Sequence, residues 1–545
     1  MRDVQQMMKR SMFLVASALA TIGATIGAAP VPASDGPFAT RSTLPFEAPP
    51  FDRITDADYQ PGFEAGMAEQ LAEMRRIAAD PAAPTFDNTI AAMERSGAIL
   101  RRVSAAFGAV NQADTNPARQ AVQKAMAPRL AAHNDAIYLD PALFARVKRL
   151  YDARETSGLD PQQRQVLDII YQRFIRAGAQ LSAADKATLR DLNGQLSMLQ
   201  TAFVQKLLAA TKAGALVVDD PAALAGLGDG GIAAAAEAGR QRGLPGKWVV
   251  PLQNTTQQPA LASLSDRATR ERLFERSWMR SERGDANDTR DTAATIAQLR
   301  ARKAALLGFP DWASYVLADQ MAKTPAAAEA FMAKLIPATA AQERREAAAI
   351  DAVIKTQESK TGGGGFTVQP WDWDRYAEQV RHARFDLDPN QVKPYFELNA
   401  VLEKGVFFAA TQLYGVTFKE RHDIPVYQPD VRVFEVFDRD GKHLGLFYCD
   451  YFKRDNKQGG AWMSSFVGQS ALLGTSPVVY NVANLPKPAA GQPALISFDD
   501  VTTMFHEFGH ALHALFSTID YPSLGGTARD FVEFPSQFNE HWALD

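Results

Sequence analysis

FDDVTTMFHEFGHALHALFS, residues Phe498 to Ser517, decides how the rest of the chain is read. Two histidines four positions apart on a helix stand about 40° apart around its axis, so His506 and His510 project from one face and can share a metal ion. Glu507 lies between them, where a carboxylate is held beside that metal and can take a proton from a water the metal activates; this is the physical content of H-E-x-x-H. The segment reads as a helix on independent grounds. Ser497 followed by Asp500 is a capping-box-like start, and Val501, Met504, Phe505, Phe508, Leu512, Leu515 and Phe516 supply a broad apolar surface. So much apolar surface marks a core helix, which presents its histidines from inside the protein.

The bare motif arises by chance in roughly one chain in a hundred of this length, so a third ligand has to be found. Glu533, in RDFVEFPSQFNEHW, follows His510 by an interval over which a second helix can return a carboxylate and complete a His₂Glu zinc site. Satisfied core histidines are the competing explanation. The other histidines add no ligand: His513 reaches the metal only by distorting the helix, His541 is structural, and the spacing of His133, His382, His422 and His443 promotes none of them. Asp530 is a candidate to orient a ligand histidine through its far ring nitrogen.

HEFGHALHALFS, then GGT, then RDFVEFPSQFNEHW resembles the thimet oligopeptidase, oligopeptidase A and peptidyl-dipeptidase family of zinc metallopeptidases, and among these the bacterial peptidyl-dipeptidase (dipeptidyl carboxypeptidase) branch. The resemblance extends upstream through PWDWDRYAEQVR, YFELNAVLEKGVFFAATQLYG, FKERHDIPVYQPDVRVFEVFD and GGAWMSSFV, and more loosely before residue 240. It implies a mainly α, two-lobed helical metallopeptidase with a deep channel and a small β-sheet beside the zinc-binding helix. It also implies one Zn²⁺ per chain on His506, His510 and Glu533, with Glu507 as the proton acceptor. Substrates would be short unstructured peptides that lose C-terminal dipeptides. The alternatives are an endo-acting oligopeptidase, or a truncated, catalytically silent zinc-binding helical protein. Two departures from the family pattern stand out. Relatives have about two more residues than the single Ala528 between Gly-Thr and Arg-Asp-Phe-Val-Glu, a difference a loop can absorb. Relatives also continue for roughly a further quarter of this length, and that stretch carries the tyrosine and histidine that stabilise the oxyanion. Without it, Leu512 and Phe516 are expected to be exposed.

Composition is that of a soluble globular protein. With 46% hydrophobic and 22% charged residues, the chain has enough apolar material for several packed layers and too little charge for disorder. Arg2, Lys9 and Arg10 precede the apolar run Met12 to Ala29, and Val31-Pro32-Ala33 places small residues before Ser34. Residues 1–33 therefore read as a secretory signal peptide, and the protein as exported, periplasmic if the source is a Gram-negative bacterium, without stable membrane association after cleavage. Cleavage would move the net charge from −4 to −6. No basic tract points to nucleic acid, and a monomer is expected. Cys449 is the only cysteine, which excludes an internal disulfide; in LGLFYCDYF it reads as a small buried side chain.

Residues 34–360 form a helical N-terminal region, illustrated by Leu189, Leu192, Leu196, Leu199 and Phe203 after a Ser182–Asp185 capping box. Interruptions fall at GLDPQQR, at GLGDGG (226–231) and at GLPGKWVV, whose Trp248-Val249-Val250 can pair with Leu216-Val217-Val218. The Gly-rich stretch 361–365 reads as a flexible connection, and residues 366–545 as a zinc catalytic region, incomplete at its C-terminal end. Within it, VRVFEVF and HLGLFYCDYF flank Asp438-Arg439-Asp440-Gly441-Lys442 and form a hairpin. The hairpin either packs under the zinc helix or belongs to a sheet whose edge strand offers main-chain hydrogen bonds to an extended peptide beside the metal, and the family resemblance implies the second.

Overall fold

The computed structural model describes residues 36–361, 365–386, 389–488 and 491–544. The signal-peptide reading of residues 1–33 and positions 362–364 of the Gly-rich connection lie outside them.

Helix follows helix from the start, several of them begun by a side chain that satisfies a free amide. Helices α1 (Asp56–Ala79), α2 (Ala98–Ala113) and α3 (Pro117–Tyr138) pack together, and the Asn116 side chain accepts the Arg119 amide at the start of α3. Asp160 caps α4 (Pro161–Arg176). Ser182 caps α5 (Ala183–Ala213), whose Leu189, Leu192 and Leu196 are buried as their spacing predicts. Leu199 and Phe203 are half-buried against Ile296 and Leu299. Strand β1 (Leu216–Val218) pairs antiparallel with β2 (Trp248–Val250), Leu216 opposite Val250, as expected. The GLGDGG stretch is not wholly an interruption, because the helix Gly228–Gln241 starts inside it. A long helix, α6 (Pro325–Thr361), carries the chain toward the second half. Among the described residues no helix is long and apolar enough to cross a membrane.

The second half is built on a five-stranded sheet of β3 (Thr417–Glu420), β4 (Arg432–Phe437), β5 (His443–Phe452), β6 (Trp462–Val467) and β7 (Val478–Leu485) in the order β3-β4-β5-β7-β6. All pairings are antiparallel except β5 with β7. The β4–β5 hairpin forms as predicted, with Gly441 at φ 79° in its turn. Its strands are internal, however, so neither is the free edge. The edges are β3 and β6, and β6 is the one beside the candidate metal centre.

Alternation along β5 and β7 divides their side chains between two cores. Phe447, Cys449, Tyr451, Val479 and Ala483 face the helix α7 (Phe498–Leu515), while Leu446, Tyr448, Val478, Tyr480 and Val482 face Ala109 and Ala113 of α2. Both faces are covered, and every residue of β7 is buried. At the end of the parallel pair, Lys457 Nζ donates to Asp450 Oδ1 (2.9 Å) and to the carbonyls of Phe452 (2.7 Å) and Ala483 (2.8 Å). A buried ammonium is tolerable there because a carboxylate and carbonyls replace its water. Leu512 corrects one expectation. It is buried with the α7 core, because the segment Leu398–Val416 and the sheet already cover that side of the helix; Phe516 stays partly exposed, edge-on to Tyr414.

Cys449 lies between sheet and helix, 2% exposed, and burial pushes its thiol pKa up to about 12. At pH 8 the folded protein should resist alkylation by iodoacetamide, since the thiolate is the reactive form. One alkylated site per chain should appear only on denaturation; mass spectrometry showing modification of the folded protein within minutes would contradict this packing.

Candidate metal centre

Helix α7 starts with the reciprocal cap its sequence predicts: Ser497 Oγ accepts the Asp500 amide (3.1 Å) and Asp500 accepts the Ser497 amide (3.0 Å). Phe508 then plants the helix on the sheet, edge-on to Phe447 at 5.2 Å and close to Phe407 and Phe418. With one face so held, His506 and His510 turn toward the helix α8 (Glu533–Asn539), their rings 5.0 Å apart and nearly perpendicular.

The chain brings α8 onto α7 at Gly509. A β-carbon there would lie 2.8 Å from Ser536 Cα, 2.8 Å from Asn539 Cβ and 3.1 Å from the Pro535 carbonyl, so only glycine allows this approach. Asn539 fastens the crossing by donating its amide to the Phe505 carbonyl at 2.7 Å. The result is that Glu533 Oε2 stands 3.1 Å from His506 Nε2 and 3.0 Å from His510 Nε2, and one ligand atom from each of the three residues lies within 4.8 Å of the others. Edges of about 3.3 Å are those of a tetrahedron with bonds of about 2.05 Å, so the Glu533 oxygen stands from each histidine nitrogen at close to the distance between two ligands of one metal ion. The shortened loop at Ala528 has not displaced Glu533.

A partner the sequence did not reveal supports the fit. Glu540 Oε1 lies 2.7 Å from His506 Nδ1. A neutral His506 that donates its Nδ1–H to Glu540 directs a bare lone pair from Nε2 at the Glu533 carboxylate, an arrangement of two acceptors that a cation between them resolves. The expected orienting residue, Asp530, is elsewhere: it accepts the backbone amides of Met321 (3.0 Å) and Ala322 (2.8 Å). Asp530 precedes the helix, on a loop turned to another segment, whereas Glu540 is two helical turns beyond Glu533 and so returns to the same face. That interval of seven was the available signal.

Glu507 is buried, and its Oε2 has no hydrogen-bond partner among the described residues. Burial pushes its pKa up to about 7, with the His506 imidazole opposing and Glu533 adding. Burial likewise lowers the His510 pKa, which favours the neutral imidazole that a metal requires. Desolvation acts upward on Glu533, yet the Ser536 hydroxyl and the two imidazoles hold its pKa below the usual value. A bound cation would stabilise both carboxylates in their charged form.

Of these groups His510 lines a cavity of about 1140 Å³, together with His513, Tyr414, Phe531 and, from the edge strand β6, Met463 and Ser465. His513 is thus a wall residue, as expected, and not a member of the ligand cluster. His541 packs edge-on to Phe538.

The sequence model of peptidase family M3 matches residues 260–545. The dipeptidyl carboxypeptidase of Escherichia coli (strain K12) is 54% identical over 509 residues, 93% of this chain and 74% of that protein. The Salmonella typhimurium dipeptidyl carboxypeptidase is 52% identical over 94% of this chain and 75% of its own length. Oligopeptidase A of Escherichia coli is 30% identical over 92% of this chain and 74% of its own.

If the Gly509 crossing sets the ligand spacing, Gly509→Ala should weaken metal binding at least about tenfold, within the range found for disturbed ligand orientation, while helix content is kept. Chelator competition alongside circular dichroism measures both. Unchanged affinity would show that the helices can part without moving Glu533.

Proposed function

The chain belongs to peptidase family M3, and from that premise we propose that it is a zinc peptidase releasing C-terminal dipeptides from short unstructured peptides. The observation that carries the exo-acting reading is the 54% identity to a dipeptidyl carboxypeptidase across 93% of the chain, well above the 30% to an oligopeptidase A. The family is one of metallopeptidases, and zinc is the ion best suited to two imidazole nitrogens and one carboxylate with a position left open.

In this reading His506, His510 and Glu533 hold the ion, and Glu540 fixes the His506 ring and its tautomer. Bound there, the metal supplies Lewis-acid polarisation of the scissile carbonyl and of water. Glu507 takes the proton of the attacking water and passes it to the leaving amine nitrogen. Its buried carboxylate suits that exchange, because a base in apolar surroundings has its proton affinity raised toward neutrality. The peptide lies extended along β6, whose free edge offers main-chain donors and acceptors, and the cavity walls exclude folded chains.

Replacing Glu507 by Gln should leave metal content unchanged and lower kcat by at least about 10²-fold, the smallest usual contribution of a positioned acid-base group. Metal analysis and single-turnover assays read the two effects; kcat within about tenfold of the parent would assign the proton to another group. Peptides with a free C-terminus should lose successive dipeptides, and their C-terminal amides should be cleaved far more slowly. Internal cleavage of amides at comparable rates would instead identify an endo-acting oligopeptidase.

A further inference from the structure

The cavity has a second wall of different chemistry. Arg101 and Arg102, in the first turn of α2, line it together with Arg41 and Glu47. Arg41 is neutralised by Glu47 at 2.9 Å and donates to the Leu473 carbonyl at 3.1 Å, which puts this group beside the loop that follows β6. Arg101 and Arg102 have a different environment. Arg101 donates to the carbonyls of Ser96 and Arg95, and Arg102 to those of Phe38 (3.0 and 2.7 Å) and Ala39 (3.0 Å). Every one of these acceptors is an uncharged carbonyl, and among the described residues neither guanidinium forms an ion pair.

The carboxylates close enough to act on these arginines are committed elsewhere. Glu73 accepts the Gly97 amide (2.7 Å), Glu69 the Ile99 amide (3.0 Å), and Glu94 the Ser523 amide and hydroxyl (2.8 and 2.6 Å). A guanidinium has five N–H donors, so Arg101 keeps three and Arg102 keeps both hydrogens of Nη1. Arg101 is exposed and lines the cavity wall. Burial there pushes both guanidinium pKa values down, against the pull of the nearby glutamates. Two adjacent cations that are partly desolvated and still hold free donors make a site for a planar anion, which a guanidinium fork binds through two parallel hydrogen bonds.

We propose that Arg101 and Arg102 form an anion subsite of the metal cavity that binds a carboxylate of the peptide lying along β6. The assignment rests on the peptide-cleaving reading of that cavity. The carboxylate comes either from the peptide's C-terminus or from an acidic side chain. At about 1140 Å³ the cavity exceeds the roughly 300–1,000 Å³ of small-molecule sites, and Arg101, Arg102 and His510 all line it, so a peptide inside it faces both the arginines and one histidine of the candidate metal centre.

The test uses the full, metal-loaded chain carrying Glu507→Gln, so that peptide is not consumed, and three peptides of one length. The first has a free C-terminus and neutral side chains, the second is its amide, and the third is the amide with one residue replaced by glutamate. By titration calorimetry at low salt, the first or the third should bind at least about tenfold tighter than the second, the winner identifying the source of the carboxylate. Arg101→Gln combined with Arg102→Gln should bring that preference within about twofold. Equal affinity for all three peptides overturns the proposal, and so does a preference kept by the folded double variant. Should the double variant unfold, the chain with both arginines decides: a preference that persists undiminished from roughly 0.05 to 0.5 M salt is not electrostatic and overturns it as well. Dipeptide release is scored separately with Glu507 intact. Its absence would overturn the activity reading and leave the binding preference standing.

Discussion

The close crossing of Phe498–Leu515 with Glu533–Asn539 at Gly509 is the contact on which the candidate metal centre depends. A helix pair normally keeps its axes 8–10 Å apart, and a side chain at the contact sets the distance. With no β-carbon at 509, Ser536 and Asn539 press against the backbone of the histidine helix, and the Asn539 amide bonds to the Phe505 carbonyl. That bond is worth only about 1 kcal/mol in net stability. Its consequence is geometric: Glu533, at the start of α8, and Glu540, in the 3-10 turn just after it, are delivered to the two ring nitrogens of His506, one toward the candidate metal position and the other behind it.

The crossing can be tight because the opposite face of the histidine helix is immobilised. Phe508 sits among Phe407, Phe418 and Phe447, and a fully buried phenylalanine contributes about 1.5–3 kcal/mol by burial alone. Beneath it, β5 and β7 are covered on their far side by α2 and the segment around Phe46 and Phe51. Helix, sheet and helix thus form a stack in which the first half of the chain supports the second. The same α2 that backs the sheet carries Arg101 and Arg102 to the cavity, so the N-terminal helices contribute chemistry as well as support.

Electrostatics within the cavity follow from the same packing. Glu507 is buried on α7, its Oε2 has no hydrogen-bond partner among the described residues, and a desolvated carboxylate holds its proton to higher pH. Glu533, nearer the opening and bonded to Ser536, does the reverse. Two carboxylates close to His506, one its neighbour in sequence and one brought there by the fold, are thereby driven apart in proton affinity, which suits one to proton transfer and the other to binding a cation.

Much of this was legible in the residues. The spacing His506-Glu507-x-x-His510 prescribes a shared helical face, Ser497 and Asp500 prescribe the cap, and the apolar run LGLFYCDYF after an Asp-Gly turn prescribes a hairpin strand with Cys449 buried, because periodicity, capping and turns are local properties of the backbone. The family too was visible in motifs spread over the chain. What could not be read was anything requiring two distant segments at once. Asp530 and Glu540 are equally plausible as partners for a histidine until the path of the chain turns the first toward Met321 and the second toward His506. The β4–β5 hairpin announces itself in sequence, but β5 pairs parallel with β7 and leaves β6 as the edge, since pairing between non-adjacent strands depends on which apolar faces the whole fold must bury. Gly509 looks like a mild defect in a helix until α8 arrives, when the missing β-carbon becomes the reason His506, His510 and Glu533 meet; local chemistry set the parts of this candidate centre, and only tertiary packing set the distances between them.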